Sequence, residues 1–376
     1  MATSTLLALV AIFGLAVAFD YINGFHDTAN AIATSVATRA LKPEHAIALS
    51  ATANFAGALV FGTAVAGTIG SGIVNDNVAL NNGSTVLAAA LIGAISWNLI
   101  TWALAIPSSS SHALVGGLIG GALAYGGTNE VQWDSFGLKV LVPLVSSPIL
   151  GLLIGFGLMV LLLNLIGRLK FHRLTAIVSR SMPSRFRTSE AEAHEGASPT
   201  RINDRFRRLQ VISAAYMALA HGSNDAQKTM GIMTLALYTA KAIPDKSVPV
   251  WVILIAATAM SLGTAAGGWR IMKTMGQRVV KLDPVHGFAA ETTAASIILA
   301  ASHFGMPVST THVISSAIMG VGTSDRFKAV RWSVARGIAT AWVLTIPCAA
   351  AIAALSYLVL QLLSGPIGAV LHVFGV

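Results

Sequence analysis

Read for its hydrophobic and polar positions, the chain divides into long apolar runs separated by short polar ones. No Asp, Glu, Lys or Arg occurs in residues 1–19, 45–75, 77–129, 140–167, 247–269, 292–324 or 337–376. Each run approaches or exceeds the ~20 residues a helix needs to cross the hydrocarbon of a bilayer. The runs are apolar on every face, whereas membrane-barrel strands alternate polar and apolar over about ten residues. The expected fold is an all-α membrane protein, a polytopic helical bundle in contact with lipid. Spans are predicted near 4–38, 46–70, 84–105, 108–125 and 136–166, then near 209–241, 249–268, 284–303, 307–322 and 333–362. The first of these lacks the basic leader of a secretory signal and runs into Asp20, so it is expected to stay as a span.

The polar interruptions repeat. NGFHDTAN (23–30) returns as HGSNDAQK (221–228), aligning Gly24 with Gly222 and Asp27 with Asp225. IPSSSSHALVGGLIGG (106–121) returns as MPVSTTHVISSAIMGV (306–321), aligning Pro107 with Pro307, His112 with His312 and Gly120 with Gly320. Two motifs in the same order at nearly one offset indicate a duplicated unit. The expected organisation is a first transmembrane repeat at 1–167, a linker at 168–208 and a second repeat at 209–376. Placing the Lys/Arg-bearing loops 39–45, 168–208, 269–283 and 323–332 in the cytoplasm leaves the base-free NDNVALNNG (75–83) outside. Five crossings per half is an odd number, so the halves should have inverted topology, the architecture of secondary transporters.

Two segments, 4–38 and 209–241, run to about 50 Å at 1.5 Å per residue, longer than a bilayer core, and carry Gly, Asn and Asp midway. Both are expected to be broken. PSSSSH and PVSTTH set a proline ahead of hydroxyl residues suited to helix caps, and read as N-termini of half-helices at membrane depth, crossing or re-entrant.

Composition agrees with a membrane bundle and narrows the chemistry. Of 376 residues, 55% are hydrophobic and 10% charged, against about 25% charged in a soluble domain. The net charge of +9 does not indicate nucleic acid, because the linker at 168–208 alone holds ten Lys/Arg against four acids, a cytoplasmic topology signal. Cys348 is the single cysteine, which excludes an intrachain disulfide and a Cys/His zinc site. Neither a G-x-x-x-x-G-K-[ST] loop nor H-E-x-x-H occurs, so ATP-driven transport and zincin proteolysis lack their machinery. No cofactor is expected beyond a coupling ion drawn from a gradient. Trp133, Trp251, Trp269 and Trp332 fall near span ends, as an interfacial belt would.

Irregular backbone at membrane depth is tolerated only inside protein or along a cavity, so paired interruptions point to one central site. Half-helix N-termini bind oxyanions through free N–H groups. Ser109, Ser110, Ser111, Ser309, Thr310 and Thr311 add hydroxyl donors, and Asn30 and Lys228 complete the expected anion set. Buried hydroxyls also serve as glue between helices. Ionisable residues at membrane depth are costly and therefore functional candidates: here Asp20, Asp27, Asp225, Lys228 and Glu291. Asp27 and Asp225 stand beside Asn23, Asn30 and Asn224, oxygen donors for a hard cation such as Na+, and a bare aspartate would repel an oxyanion unless a cation or proton accompanied it. The alternative for this pair is an Asx turn or an Asp225–Lys228 brace. Glu291 reads either as a buried coupling carboxylate or as an interfacial residue paired with a loop base. His112 and His312 read either as a proton relay or as neutral rings holding the hydroxyl turn by a hydrogen bond.

The motifs GFHDTANAIAT and HGSNDAQKTMGIM, with IPSSSSHALVGG, MPVSTTHVISSAIMG, GGWRIMKTMG (267–276) and GFAAETTAA (287–295), resemble the signatures of the inorganic phosphate transporter (PiT) family. The resemblance spans both halves outside 168–208. It implies a plasma-membrane symporter of inorganic phosphate coupled to Na+ or H+, not an enzyme, with sulfate as the substrate of some members and a homodimer as a plausible assembly. It places the family's essential aspartates on Asp27 and Asp225 and its second-half glutamate on Glu291. Two positions depart from the pattern: His26 stands where an asparagine is usual, and Lys228 stands where Asn30 matches in the first half. Outside this class, a passive anion channel would also use half-helix N-termini, and an intramembrane phosphotransferase would need a nucleophile–base pair that the sequence does not display.

Overall fold

A computed structural model of the chain describes residues 3–168 and 198–373; residues 169–197, most of the basic linker, lie outside them. The described residues are helical, and the β pairing among them is an isolated antiparallel bridge between Val74 and Val131. The helices are α1 (Thr3–Ala37), α2 (Pro43–Val60), α3 (Ala64–Ser71), α4 (Asp76–Ala103), α5 (Ser110–Gly126), α6 (Trp133–Phe136), α7 (Val142–Arg168), α8 (Ser198–Thr239), α9 (Val250–Ala266), α10 (Trp269–Lys273), α11 (Pro284–His303), α12 (Thr310–Asp325) and α13 (Trp332–Val373). Four stretches are long and apolar enough to cross a membrane: Thr3–Ala37, Gly83–Ala103, Trp133–Ile166 and Trp332–Leu363. The pair α2–α3, bent by 78°, makes a fifth if counted as one span. The chain is a multi-pass membrane protein. Its lipid-compatible surface includes the exposed Val145, Leu153, Val343 and Leu355, while Trp133 and Trp251 stand about half exposed near helix starts. The Trp269 side chain lies outside the description.

Ten crossings do not form. The segments at 84–105 and 108–125 fold as a hairpin, because the entry to α4 and the exit of α5 lie side by side. The Asn75 N–H donates to the Glu130 carbonyl and the Gln132 N–H to the Ile73 carbonyl, both at 3.0 Å, around the Val74–Val131 bridge. The second half closes in the same way, with the Arg331 N–H donating to the Val279 carbonyl at 2.9 Å. Leu104 and Phe304 at the two turns are exposed, and the chain just beyond them meets in the interior, where Pro107 and Ser108 to Ser111 are buried against Val308 to Thr311. α5 and α12, with 17 and 16 residues, are re-entrant arms that stop at the centre. Replacing two crossings by a hairpin in each half leaves the count odd, so the arrangement is consistent with inverted repeats.

The expected breaks in 4–38 and 209–241 are also absent: α1 and α8 run unbroken through their polar motifs. Glycine there serves close approach instead of a kink. A Cβ on Gly24 would fall 2.8 Å from the Thr264 nitrogen on α9, and one on Gly222 would fall 2.6 Å from the Asn54 Cα on α2. Each long helix is thus pressed against a helix of the other half.

The apolar interior forms two main clusters with a polar band between them. Leu9 to Phe19 of α1 and Ala226 to Leu237 of α8 belong to one; Ala29 to Ala33 of α1 and Phe206 to Ala220 of α8 belong to the other. The helices therefore pass in opposite senses, and the stretches 20–28 and 221–225 lie between the clusters, next to the hairpin tips. Polar groups in that band are buried, and a buried polar group is costly unless it finds a hydrogen-bond partner.

Candidate functional site

The centre is built by α1 and α8 crossing behind the two hairpin tips. Ser109 and Ser309 are the N-caps of α5 and α12: each side chain accepts from the backbone N–H three residues on, His112 and His312, at 3.2 Å. The cap fixes the first turn, whose remaining amides have no helical acceptor and point to the tip. Ser110 Oγ donates to Asp27 Oδ2 at 3.0 Å, and Thr310 Oγ1 to Asp225 Oδ2 at 3.4 Å. The third hydroxyls lace the tips together: Ser111 Oγ donates to the Val308 carbonyl at 3.1 Å and Thr311 Oγ1 to the Ser108 carbonyl at 3.0 Å.

Behind these hydroxyls, Asn30 Nδ2 donates to Thr311 Oγ1 at 2.9 Å, and the Lys228 ammonium to Ser111 Oγ at 2.5 Å. Lys228 is also paired with Asp225, the brace that the spacing allowed. One atom each of Asp27, His221 and Asp225 lie within 4.8 Å of one another, all three side chains being buried. Two ionised carboxylates at such a distance repel by about 1 kcal/mol in water and severalfold more in a protein interior. Lys228 offsets one of them. The Oδ1 and Nδ2 atoms of Asn23 and the Oδ1 atoms of Asn30 and Asn224 are buried with no hydrogen-bond partner among the described residues, while Asn224 Nδ2 donates to Ser302 Oγ at 2.8 Å. Carboxylates with unpartnered amide oxygens are the donor set a hard cation accepts.

Glu291 is not at this centre. It sits on α11 beside the C-terminal part of α1, accepting from Thr34 and Ser35 at 2.5 Å and Gln210 Nε2 at 3.2 Å on Oε1, and from Ser213 at 2.5 Å on Oε2. Its reading as an interfacial residue paired with a loop base fails, since it is fully buried and its partners are neutral donors. At the repeat offsets, the corresponding positions of the other half are Leu91, Ile232, Met233, Leu15 and Ile12, all apolar. A fold that tolerates an apolar nest there does not need a carboxylate for packing. Asp20 is buried too, accepting from Thr229 Oγ1 at 2.5 Å.

The imidazoles of His112 and His312 do not hold the hydroxyl turns; the N-cap serines do, through the backbone. The two rings pack on each other with centroids 4.8 Å apart, and His312 stacks on Trp342 at 3.9 Å. Neither ring nitrogen of His312 nor Nδ1 of His112 has a hydrogen-bond partner among the described residues. Two other histidines, which the sequence supported less than His112 and His312, do contact the aspartates. His26 Nδ1 lies 2.7 Å from Asp27 Oδ1 and its Nε2 3.1 Å from Thr101 Oγ1, which is 2.7 Å from Ser108 Oγ. His221 Nε2 lies 3.3 Å from Asp225 Oδ2. The available signal was spacing: His26 adjoins Asp27, and His221 stands one helical turn before Asp225.

The sequence also matches known proteins along nearly its whole length. A family model described as the phosphate transporter family matches residues 23–353. A probable low-affinity inorganic phosphate transporter of Bacillus subtilis (strain 168) is 45% identical over 359 residues, covering 95% of this chain and 98% of that protein. A putative phosphate permease of Pyrococcus horikoshii is 31% identical over 411 residues, covering 95% and 98%. Among solved structures, one described as the sodium-dependent phosphate transporter superposes with a TM-score of 0.81 at 28% identity, over 95% of this chain and 99% of that one.

Proposed function

The chain belongs to the phosphate transporter family, and from that premise we propose that it is a cation-coupled symporter of inorganic phosphate, working by alternating access in the plasma membrane with the 168–208 loop in the cytoplasm. The observation that carries this reading is the meeting of two hydroxyl-bearing helix N-termini with Asp27 and Asp225 directly behind them. The anion takes the space at the tips, held by Ser110, Ser111, Thr310 and Thr311, by first-turn amides and by Lys228. Ser109 and Ser309 keep those turns in shape.

Coupling follows from a competition for hydroxyl donors. Ser110 and Thr310 donate to Asp27 and Asp225, and an ionised carboxylate there both repels the anion and occupies the donor the anion needs. A cation or proton on Asp27 removes the repulsion and releases Ser110 toward phosphate. Cargo and cation then bind together, and neither is well held alone, which is the thermodynamic content of symport. The two hairpins, whose first turns meet at the centre, are the elements that alternate access by rocking. Sodium is the coupling ion favoured by the oxygen donors of Asn23 and Asn30 and by the likeness to a structure described as sodium-dependent; a proton on Asp27 would do the same electrostatic work.

Phosphate is preferred over sulfate because near neutral pH it still carries a proton to donate, and acceptor carboxylates stand beside the cradle. The test is uptake of radiolabelled phosphate into proteoliposomes, with sodium and proton gradients imposed separately and unlabelled arsenate or sulfate present. Uphill uptake blocked by arsenate and not by sulfate is expected. Competition by sulfate would assign a sulfate permease, and flux that never runs uphill would assign a channel.

A further inference from the structure

The two halves set the same three positions on one face of corresponding helices, four residues before an aspartate and three after it, with different chemistry. On α1 they are Asn23, Asp27 and Asn30; on α8 they are His221, Asp225 and Lys228. Side chains at these spacings are neighbours on a helix surface. Both flanking oxygens on α1, Asn23 Oδ1 and Asn30 Oδ1, are buried without a hydrogen-bond partner among the described residues, and such atoms call for an explanation in a native interior. On α8 no amide oxygen stands in either place. A histidine ring nitrogen faces Asp225 from one side at 3.3 Å, and an ammonium is paired with it from the other.

The register of the two sets is the same. Asn30 reaches the third hydroxyl of the second hairpin, Thr311, at 2.9 Å, while Lys228 reaches the third hydroxyl of the first, Ser111, at 2.5 Å. Lys228 therefore occupies the counterpart of the Asn30 site and differs from it in carrying a fixed positive charge, fully withdrawn from solvent.

We propose that Lys228 is a tethered cation that takes the place of a mobile coupling ion in the second half. This leaves one exchangeable cation site, formed by Asp27 with the amide oxygens of Asn23 and Asn30. The inference rests on reading this centre as the transport site. A buried carboxylate without a counter-charge is strongly destabilised, and Asp225 has its counter-charge built in. Asp27 has the His26 ring and a serine hydroxyl, so it is the carboxylate still to be neutralised when an anion arrives. An ammonium fixed to the chain does not leave with the cargo. The protein then moves one cation fewer per phosphate than a transporter whose two halves both carry the Asn–Asp–Asn set.

The test uses the full chain in proteoliposomes and the cation that drives wild-type uptake, identified by imposing sodium and proton gradients separately. Initial phosphate uptake is measured against the concentration of that cation for wild type, Lys228→Asn and Lys228→Met. Wild type is expected to show a Hill coefficient of about one. Lys228→Asn restores an oxygen ligand: its half-saturating phosphate should rise by roughly tenfold or more at low cation, the loss of a charge-assisted contact, and recover at high cation with a Hill coefficient near two. Lys228→Met supplies neither charge nor ligand and should not recover. A wild-type Hill coefficient of two or more overturns the proposal without any variant, as does a Lys228→Asn response no steeper than wild type. Absence of phosphate uptake by wild type under every gradient would instead refute the transport reading itself, so the two failures are distinguishable.

Discussion

The hydroxyl of Ser110 donates to Oδ2 of Asp27 across 3.0 Å, so the hydroxyl proposed to bind the anion is held by the carboxylate of a long helix. That contact ties the proposed substrate cradle to the proposed cation site in a single step, and the consequences of removing either partner are different.

Asp27→Asn removes the charge and keeps the size. Uptake should fall below a few per cent of wild type while the protein still reaches the membrane at normal level, because His26 and Ser110 can both contact an amide. Transport in whole cells, normalised to surface-labelled protein, checks this; wild-type uptake would contradict the role given to Asp27.

Asp225→Asn should behave worse. It leaves the Lys228 ammonium buried and unpaired, and breaking one side of a buried ion pair costs ~3–5 kcal/mol. The melting temperature in detergent should fall well below that of Asp27→Asn, and the double variant Asp225→Asn/Lys228→Met should regain much of the loss.

Serines 109 and 110 separate a capping hydroxyl from the one proposed to bind the anion. Ser109→Ala loses the N-cap of α5 and should cost ~1 kcal/mol of stability. Ser110→Ala should leave the melting temperature near wild type and raise the half-saturating phosphate concentration severalfold, the worth of one hydrogen bond to a charged group. Melting and uptake curves measured on the same preparations distinguish the two.

Much of this centre was legible in the sequence, and the parts that were not have physical reasons. The duplicated Pro–hydroxyl–His units located both hairpin tips because capping chemistry is local: a serine three residues before a helical N–H is readable without a fold. Whether 108–125 and 307–322 cross or re-enter was open in the sequence because apolarity reports burial, and a re-entrant arm inside a bundle is as buried as a lipid-facing helix is apolar. The unbroken course of α1 and α8 was missed for a related reason. Gly24 and Gly222 were taken for breaks, but they admit the backbones of Thr264 and Asn54, and contacts between residues more than 160 positions apart leave no local signature. The separation of Glu291 from Asp27 was likewise a matter of tertiary packing.

Those glycines supply a test of the packing. Gly222→Val would drive side-chain carbons into the Asn54 backbone and should cost at least ~1–3 kcal/mol, as overpacking does, with loss of folded protein on size exclusion. Gly14→Ala is the contrast, since a Cβ there meets nothing within 4 Å, and the melting temperature should hold or rise.

Glu291→Leu would leave the donors Thr34, Ser35, Gln210 and Ser213 without their acceptor, at ~1–3 kcal/mol for each group left unsatisfied, although the repeat tolerates leucine at the matching position, Leu91. Glu291→Gln keeps acceptor oxygen and should fold. If Glu291 serves transport, Glu291→Gln lowers the maximal rate of phosphate uptake severalfold at unchanged melting temperature; unchanged uptake would confine Glu291 to holding α1, α8 and α11 together.

The central claim is that a cation on Asp27 and phosphate at the hairpin tips bind as a pair. The most direct measurement is equilibrium binding of radiolabelled phosphate to purified wild type and Asp27→Asn across a range of the driving cation. In wild type, phosphate affinity should rise with cation concentration and level off when Asp27 is saturated, whereas in Asp27→Asn it should be independent of the cation. A cation dependence that survives in Asp27→Asn would contradict the account.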